Sequence, residues 1–184
     1  MKIGQAYIFL YPGDNSIIIY GAANMDWKNN DLSKLEVSLN NGNYVCLLIA
    51  NVLLMQREIP EFVNIQAAKK AKIKNIPVVL DVGGEDSPIS LDLLSLLDII
   101  SPNETELERI TGKKASFEND KEIIDVVNDL RVKSNNPNLK FLLKLGSKGS
   151  RFINETNKIY SQKAFHYDDL PIIDTTGAGI IYNN

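Results

Sequence analysis

Apolar and polar positions along the chain fall into two kinds of run. Short apolar runs bounded by Gly, Pro, Asn and Asp read as strands, and longer stretches with apolar residues three and four apart read as helices. The first twenty residues give two β-type runs, 5–11 and 17–20, separated by Pro12, Gly13, Asp14 and Asn15, which predicts a hairpin. A polar link and a short helix over 31–39 follow. From residue 44 the texture becomes apolar strand, amphipathic helix, apolar strand, the pattern of a parallel sheet with crossover helices. Strands are predicted at 44–49, 78–81, 98–101 and 139–145, with shorter ones at 151–153 and 158–161.

Helix ends carry their own marks. Pro60 and Glu61 suit a first turn, and Lys69, Lys70, Lys72 and Lys74 gather at the far end. Phe62, Ile65, Ala68 and Ala71 give that helix its predicted buried stripe. Asn119 with Glu122 forms a capping-box pattern ahead of a helix over 120–133. Ser101, Pro102 and Glu104 read as N-cap, first helical residue and capping-box partner of another helix, with Gly112 just past its end.

Composition narrows the function classes. The chain has 184 residues, 44% hydrophobic and 23% charged, enough for one buried core. A net charge of -3 lacks the basic excess of nucleic-acid binders, so no nucleic-acid partner is expected. No apolar run approaches the roughly 20 residues of a membrane span, so no membrane partner is expected either. The single cysteine, Cys46, cannot form an internal bridge and points to a reducing, cytoplasmic setting.

Three clusters could carry chemistry. Gly177, Ala178 and Gly179 follow Asp174, Thr175 and Thr176. Small residues there let backbone amides approach an anion, although a plain tight turn explains the same letters. Lys144, Leu145, Gly146, Ser147, Lys148 and Gly149 close a strand in a second small-residue turn, either a hairpin connection or a loop around a nucleotide phosphate tail. Asn103 and Glu106 are left over once the expected cap at Ser101 is assigned. They share one face of a first helical turn just past a strand, where a carboxylate and an amide suit a water-rich Mg2+.

Together, in this order and spacing, these clusters resemble the ribokinase-like carbohydrate kinases, the PfkB family. Further likeness lies in Leu53 to Pro60, in Gly21-Ala22-Ala23-Asn24 and in the run from Asp98 to Glu106; it covers about 4–179. The resemblance implies an α/β fold, a Rossmann-like αβα sandwich over 44–179 with part of a small β lid at 5–20. It implies phosphoryl transfer from ATP to a sugar, with D-ribose the nearest match. By position, Glu58 would bind the sugar. Asn103 and the stretch Lys144, Leu145, Gly146, Ser147, Lys148 and Gly149 would serve the nucleotide, and Glu106 would hold Mg2+ through water. Gly177, Ala178 and Gly179 would form an anion hole, while Asp174 and the Thr176 carbonyl would serve a monovalent cation, K+. A homodimer through the lid is the partner implied.

The chain departs from the family pattern at one decisive position. The family's general-base aspartate, next after the Gly-Ala-Gly loop, is here Ile180, which can neither accept a proton nor hydrogen-bond a hydroxyl. The early sugar-binding motif of the family is also without a counterpart, so the chain is expected to be one partial domain over 1–184 and inactive by itself. Kinases of other sugars or nucleosides, and a non-catalytic nucleotide-binding module, are the alternative readings.

Overall fold

The computed structural model describes residues 3–11, 14–27, 51–114 and 116–165. The hairpin pairs β1 (Gln5–Tyr11) with β2 (Asp14–Tyr20), antiparallel from Gln5↔Tyr20 to Tyr11↔Asp14. The second strand begins at Asp14, ahead of the expected residue 17. Ladder pairing uses backbone groups and continues through the polar Asp14, Asn15 and Ser16.

A six-stranded sheet follows in the order β3 (Leu53–Met55), β4 (Val78–Asp81), β5 (Ile99–Ser101), β6 (Lys140–Lys144), β7 (Ser150–Ile153), β8 (Ile159–Gln162). The first four strands are parallel, and β7 and β8 close the edge as an antiparallel meander. Each strand from β4 to β8 falls within a residue of its predicted span, whereas the predicted strand 44–49 and helix 31–39 lie outside the described residues. β3 was not foreseen from the pattern.

The crossovers carry α1 (Glu61–Ile73), α2 (Leu91–Leu94), α3 (Glu104–Thr111) and α4 (Asp120–Lys133). Residues from all four pack into one core with Val78, Leu80, Ile100, Phe141 and Leu143, alternate positions on one face of the sheet. The fold is therefore α/β, and the described residues supply one helical layer on a mixed sheet. In α1 the fully buried positions are Val63, Asn64, Ala68 and Ala71. Phe62, expected in that stripe, is only half-buried, and Ile65 packs at the core's margin. The stripe turns because Asn64 goes inward to donate from Nδ2 to the Gln56 carbonyl at 2.8 Å.

The start of α3 corrects the sequence expectation. Ser101 remains in β5, paired with Asp81, and Asn103 is the N-cap. Asn103 Oδ1 accepts from Glu106 N–H at 2.8 Å, while Glu106 Oε2 accepts from Asn103 N–H at 2.8 Å, a complete capping box. Gly112 ends the helix in the left-handed region, φ 68°, as expected. Asparagine takes the same conformation just past α1 and α4, at Asn75 (φ 55°) and Asn135 (φ 50°), which its short polar side chain tolerates.

Two buried polar side chains fasten the helical layer. Asn136 donates to the Leu94 and Leu97 carbonyls. Arg131 on α4 donates Nε to the Leu139 carbonyl at 2.8 Å, Nη2 to the Asn154 carbonyl at 2.7 Å, and Nη1 to Asn128 and Asn157, with its guanidinium 5.5 Å from the centre of the Phe141 ring. Burial lowers the Arg131 pKa from its ordinary value. Arg131→Met keeps the bulk but leaves two carbonyls unsatisfied. It should destabilise the fold by about 2–4 kcal/mol in urea denaturation followed by circular dichroism.

Candidate active site

Parallel strands β4, β5 and β6 end along one edge, and their last residues build a charged cluster. Lys144, closing β6, places Nζ 2.9 Å from Asp81 Oδ1 and 3.1 Å from Asp81 Oδ2 at the end of β4. Glu106 Oε2 lies 3.8 Å from the same ammonium. Asp81 Oδ1 also accepts from Gly83 N–H at 2.9 Å. All three ionisable side chains are nearly enclosed, and the ammonium lies between the two carboxylates. Asn103 joins the edge through a parallel bridge to Lys144.

The structure thus assigns Asn103 and Glu106 a reciprocal cap first, in place of the unexplained pair that the sequence left. Asn103 Oδ1 is committed to that cap. Glu106 keeps Oε1 facing Gly83, where an added Cβ would stand 3.7 Å from Oε1 and 3.3 Å from Asp81 Oδ1. A carboxylate oxygen of that kind is the donor type a hydrated Mg2+ takes, since that ion keeps several waters and needs only one or two carboxylates beside phosphate oxygens. Among the described residues no group of three or more His, Cys, Asp or Glu could hold a metal alone.

After Lys144, residues Gly146–Lys148 form a single 3-10 turn that Gly149 closes, with Gly146 at φ 54° and Gly149 at φ 93°. A Cβ on Gly149 would meet the Gln162 carbonyl, so the turn requires glycine there. It connects antiparallel β6 and β7, as the hairpin reading expects. Leu145 is buried, Ser147 exposed, and Lys148 Nζ pairs with Glu118 at 3.1 Å on the surface.

Glu58 lies in the loop between β3 and α1, exposed on a separate cavity of about 350 Å3. The hairpin forms the other wall, through Gly4, Gln5, Ala6, Ile19 and Tyr20, with Gly21 and Asn24 beside it. Neighbouring Arg57 fixes this loop from beneath. Its buried guanidinium donates to the carbonyls of Glu85 and Ser87, both at 2.8 Å, and to Ser87 Oγ at 3.1 Å. Desolvation lowers the Arg57 pKa, while Glu61 and Glu85 oppose the shift. Gly84, at φ 97°, packs directly under Glu58: a Cβ there would stand 2.6 Å from Glu58 Cγ.

Asp174, Thr176, Gly177, Ala178, Gly179 and Ile180 lie outside the described residues, and so do Cys46 and the 44–49 strand. Sequence reasoning missed Asp81, Gly83, Gly84 and Arg57. The available signal was Asp81 itself, a carboxylate ending the apolar run Val78, Val79, Leu80, followed two residues later by a glycine pair.

The mixed sheet with helices packed on it is an α/β scaffold, and residues 1–179 match the model of the pfkB family of carbohydrate kinases; the chain belongs to that family. Among individual proteins, it is 42% identical over 183 residues to a ribokinase of Arabidopsis thaliana, spanning 96% of this chain and 43% of that protein. A Staphylococcus aureus ribokinase is 32% identical over 182 residues, 97% of this chain and 53% of the relative. The structure of Arabidopsis thaliana ribokinase complexed with ribose and ATP superposes with a TM-score of 0.73 at 39% identity, over 96% of this chain and 52% of that one. The chain spans about half the length of the relatives it matches.

Asn103→Ala removes the cap acceptor and should cost about 1 kcal/mol in thermal denaturation, whereas Asn103→Asp should stay close to the parent. Gly84→Ala combines left-handed strain with the contact on Glu58. It should lower stability by about 1–3 kcal/mol and weaken any ligand that Glu58 holds, measured by calorimetric unfolding and titration.

Proposed function

We propose that this chain is the sugar- and nucleotide-handling part of a kinase that moves the terminal phosphoryl group of ATP to the terminal hydroxyl of D-ribose, giving D-ribose 5-phosphate. The observation that carries the reading is Glu58, exposed to the cavity under the hairpin at the level of the strand ends. The similarity to ribokinases supports it.

In this reading Glu58 accepts hydrogen bonds from the sugar hydroxyls. The 5–20 hairpin acts as the lid over a core of 44–179. The turn from Lys144 to Gly149 lines the nucleotide, with Asn103 at the neighbouring strand end. Glu106 holds the waters of Mg2+, which when bound neutralises charge on the phosphates. Gly177, Ala178 and Gly179 form the anion hole, and Asp174 with the Thr176 carbonyl is assigned to K+. The hairpin is apolar and exposed on both faces, with Tyr7, Ile8, Phe9 and Ile18 all open to solvent, which supports a homodimer in which a second hairpin covers it. Among the described residues no helix is long and apolar enough to cross a membrane, and the lone Cys46 supports a cytoplasmic setting.

Ile180 limits what this chain does by itself. With isoleucine at the position of the family's general base, its turnover should fall about 10²-fold or more below that of Ile180→Asp. Ile180 also favours a second reading, a module that binds nucleotide without transferring phosphate. Ribose-dependent release of ADP separates the two: turnover appearing in Ile180→Asp supports the kinase, and ATP binding with turnover in neither chain supports the module. Glu58→Gln should weaken ribose binding about tenfold in isothermal titration while leaving ATP binding unchanged. Equal ribose affinity in parent and variant would remove Glu58 from the sugar site.

A further inference from the structure

The loop that follows β4 has little backbone support of its own. Residues 84–88 are exposed, and among the described residues none from 84 to 89 takes part in a backbone-to-backbone hydrogen bond. The loop is held by Arg57, a side chain only 5% exposed in the bend after β3. Its guanidinium fork reaches the Glu85 and Ser87 carbonyls, both at 2.8 Å, Ser87 Oγ at 3.1 Å and the Pro88 carbonyl at 3.4 Å. Two other ties are weaker. Asp86, its side chain 90% exposed, pairs with Arg109 at the surface, and Glu61 Oε2 accepts from Ser90 N–H at 3.3 Å.

Burying this guanidinium is costly, because among the described residues it has no carboxylate within ion-pair distance. An apolar side chain of similar volume would fill the space without that cost, so the forked donors are what the position supplies. The loop they hold bears in turn on Glu58. Gly84 lies so close that a Cβ there would stand 2.6 Å from Glu58 Cγ and 3.4 Å from Glu58 N. Glu58 has no hydrogen bond or ion pair of its own among the described residues, so its stem is directed by this packing and by the bend it shares with Arg57. A cavity of about 110 Å3 beside the fork, lined in part by Arg57, Glu61, Glu85 and Ser87, leaves the loop room to shift once the donors are gone.

Resting on the reading that Glu58 binds the sugar, we propose that Arg57 is a positioning residue that acts through Glu58 and sets sugar specificity. By fastening the 85–88 backbone it keeps Gly84 against the glutamate stem, and so fixes which sugar hydroxyls the carboxylate can meet.

The test is calorimetric titration of the full chain with D-ribose and, by displacement, with its epimers D-arabinose and D-xylose. The readout is the ratio of dissociation constants, epimer over ribose, for the epimer that the parent rejects more strongly. Arg57→Met keeps the bulk and removes the donors, and should lower that ratio about tenfold. Arg57→Lys keeps the charge but replaces the fork with one ammonium, and should lower it about threefold. A merely structural role would reduce the folded fraction and weaken every sugar by one factor, leaving the ratio unmoved, which would overturn the proposal. In a Glu58→Gln background Arg57→Met should change the ratio by less than about twofold, because its effect passes through the carboxylate; a full tenfold change there also overturns it. If Arg57→Met does not fold, Arg57→Lys decides by the same ratio in both backgrounds. A parent that binds both epimers as tightly as ribose refutes the specificity role and leaves the sugar reading intact. Unaltered ribose affinity in Glu58→Gln, or no ribose binding by the parent, sinks that reading and the proposal with it.

Discussion

A buried ammonium has to be compensated, and at the carboxyl edge of this sheet that requirement organises the surrounding chain. Lys144 reaches Asp81 across β5, Asp81 also takes the Gly83 amide, and Glu106 closes the other side while capping α3. Each partner serves both local and long-range structure. Removing any one takes a partner from the others in a region that water barely enters, so the edge behaves as a unit.

The cavity at Glu58 is assembled on a different principle. Glu58 stays exposed, and its position comes from what lies beneath it: the Arg57 fork holding the 85–87 backbone, and the bare Cα of Gly84. The loops that follow β3 and β4 are thereby locked to one another, and the hairpin supplies only the facing wall. A rigid floor beneath an open polar group under a two-stranded roof suits a ligand that has to enter and leave. The edge cluster is enclosed by contrast, its three charged side chains nearly closed off from water.

Much of this was legible in the sequence, for identifiable reasons. Strands β4 to β8 stood out because each is a short apolar or β-branched run between turn residues, and α4 because Asn119 and Glu122 flank a periodic apolar stripe. β3 was hidden because its three residues merge with the apolar 44–49 run into one long stretch. The start of α3 was misread because two capping patterns overlap, Ser101 with Glu104 and Asn103 with Glu106. Pairing of Ser101 with Asp81 on the neighbouring strand selects the second, a tertiary fact invisible to local pattern. Glu58 and Glu106 could be placed by their motifs. The Asp81 partnership could not, because it depends on which strands flank β5.

The change from parallel to antiparallel pairing at β6 bears on the order in which the chain folds. Lys144 pairs with Ser150 across one tight turn, and β7 pairs with β8 across another, so this meander closes small loops. Joining Ile99 to Lys140 instead closes a loop of about forty residues, at a higher entropic cost before any contact compensates it. Within the six-stranded sheet the meander therefore closes at the lowest entropic cost. By the same measure β4 and β5, about twenty residues apart, meet before β5 meets β6, and β3, with three residues and one partner among the described strands, is the strand of this sheet where local opening and amide exchange should be fastest.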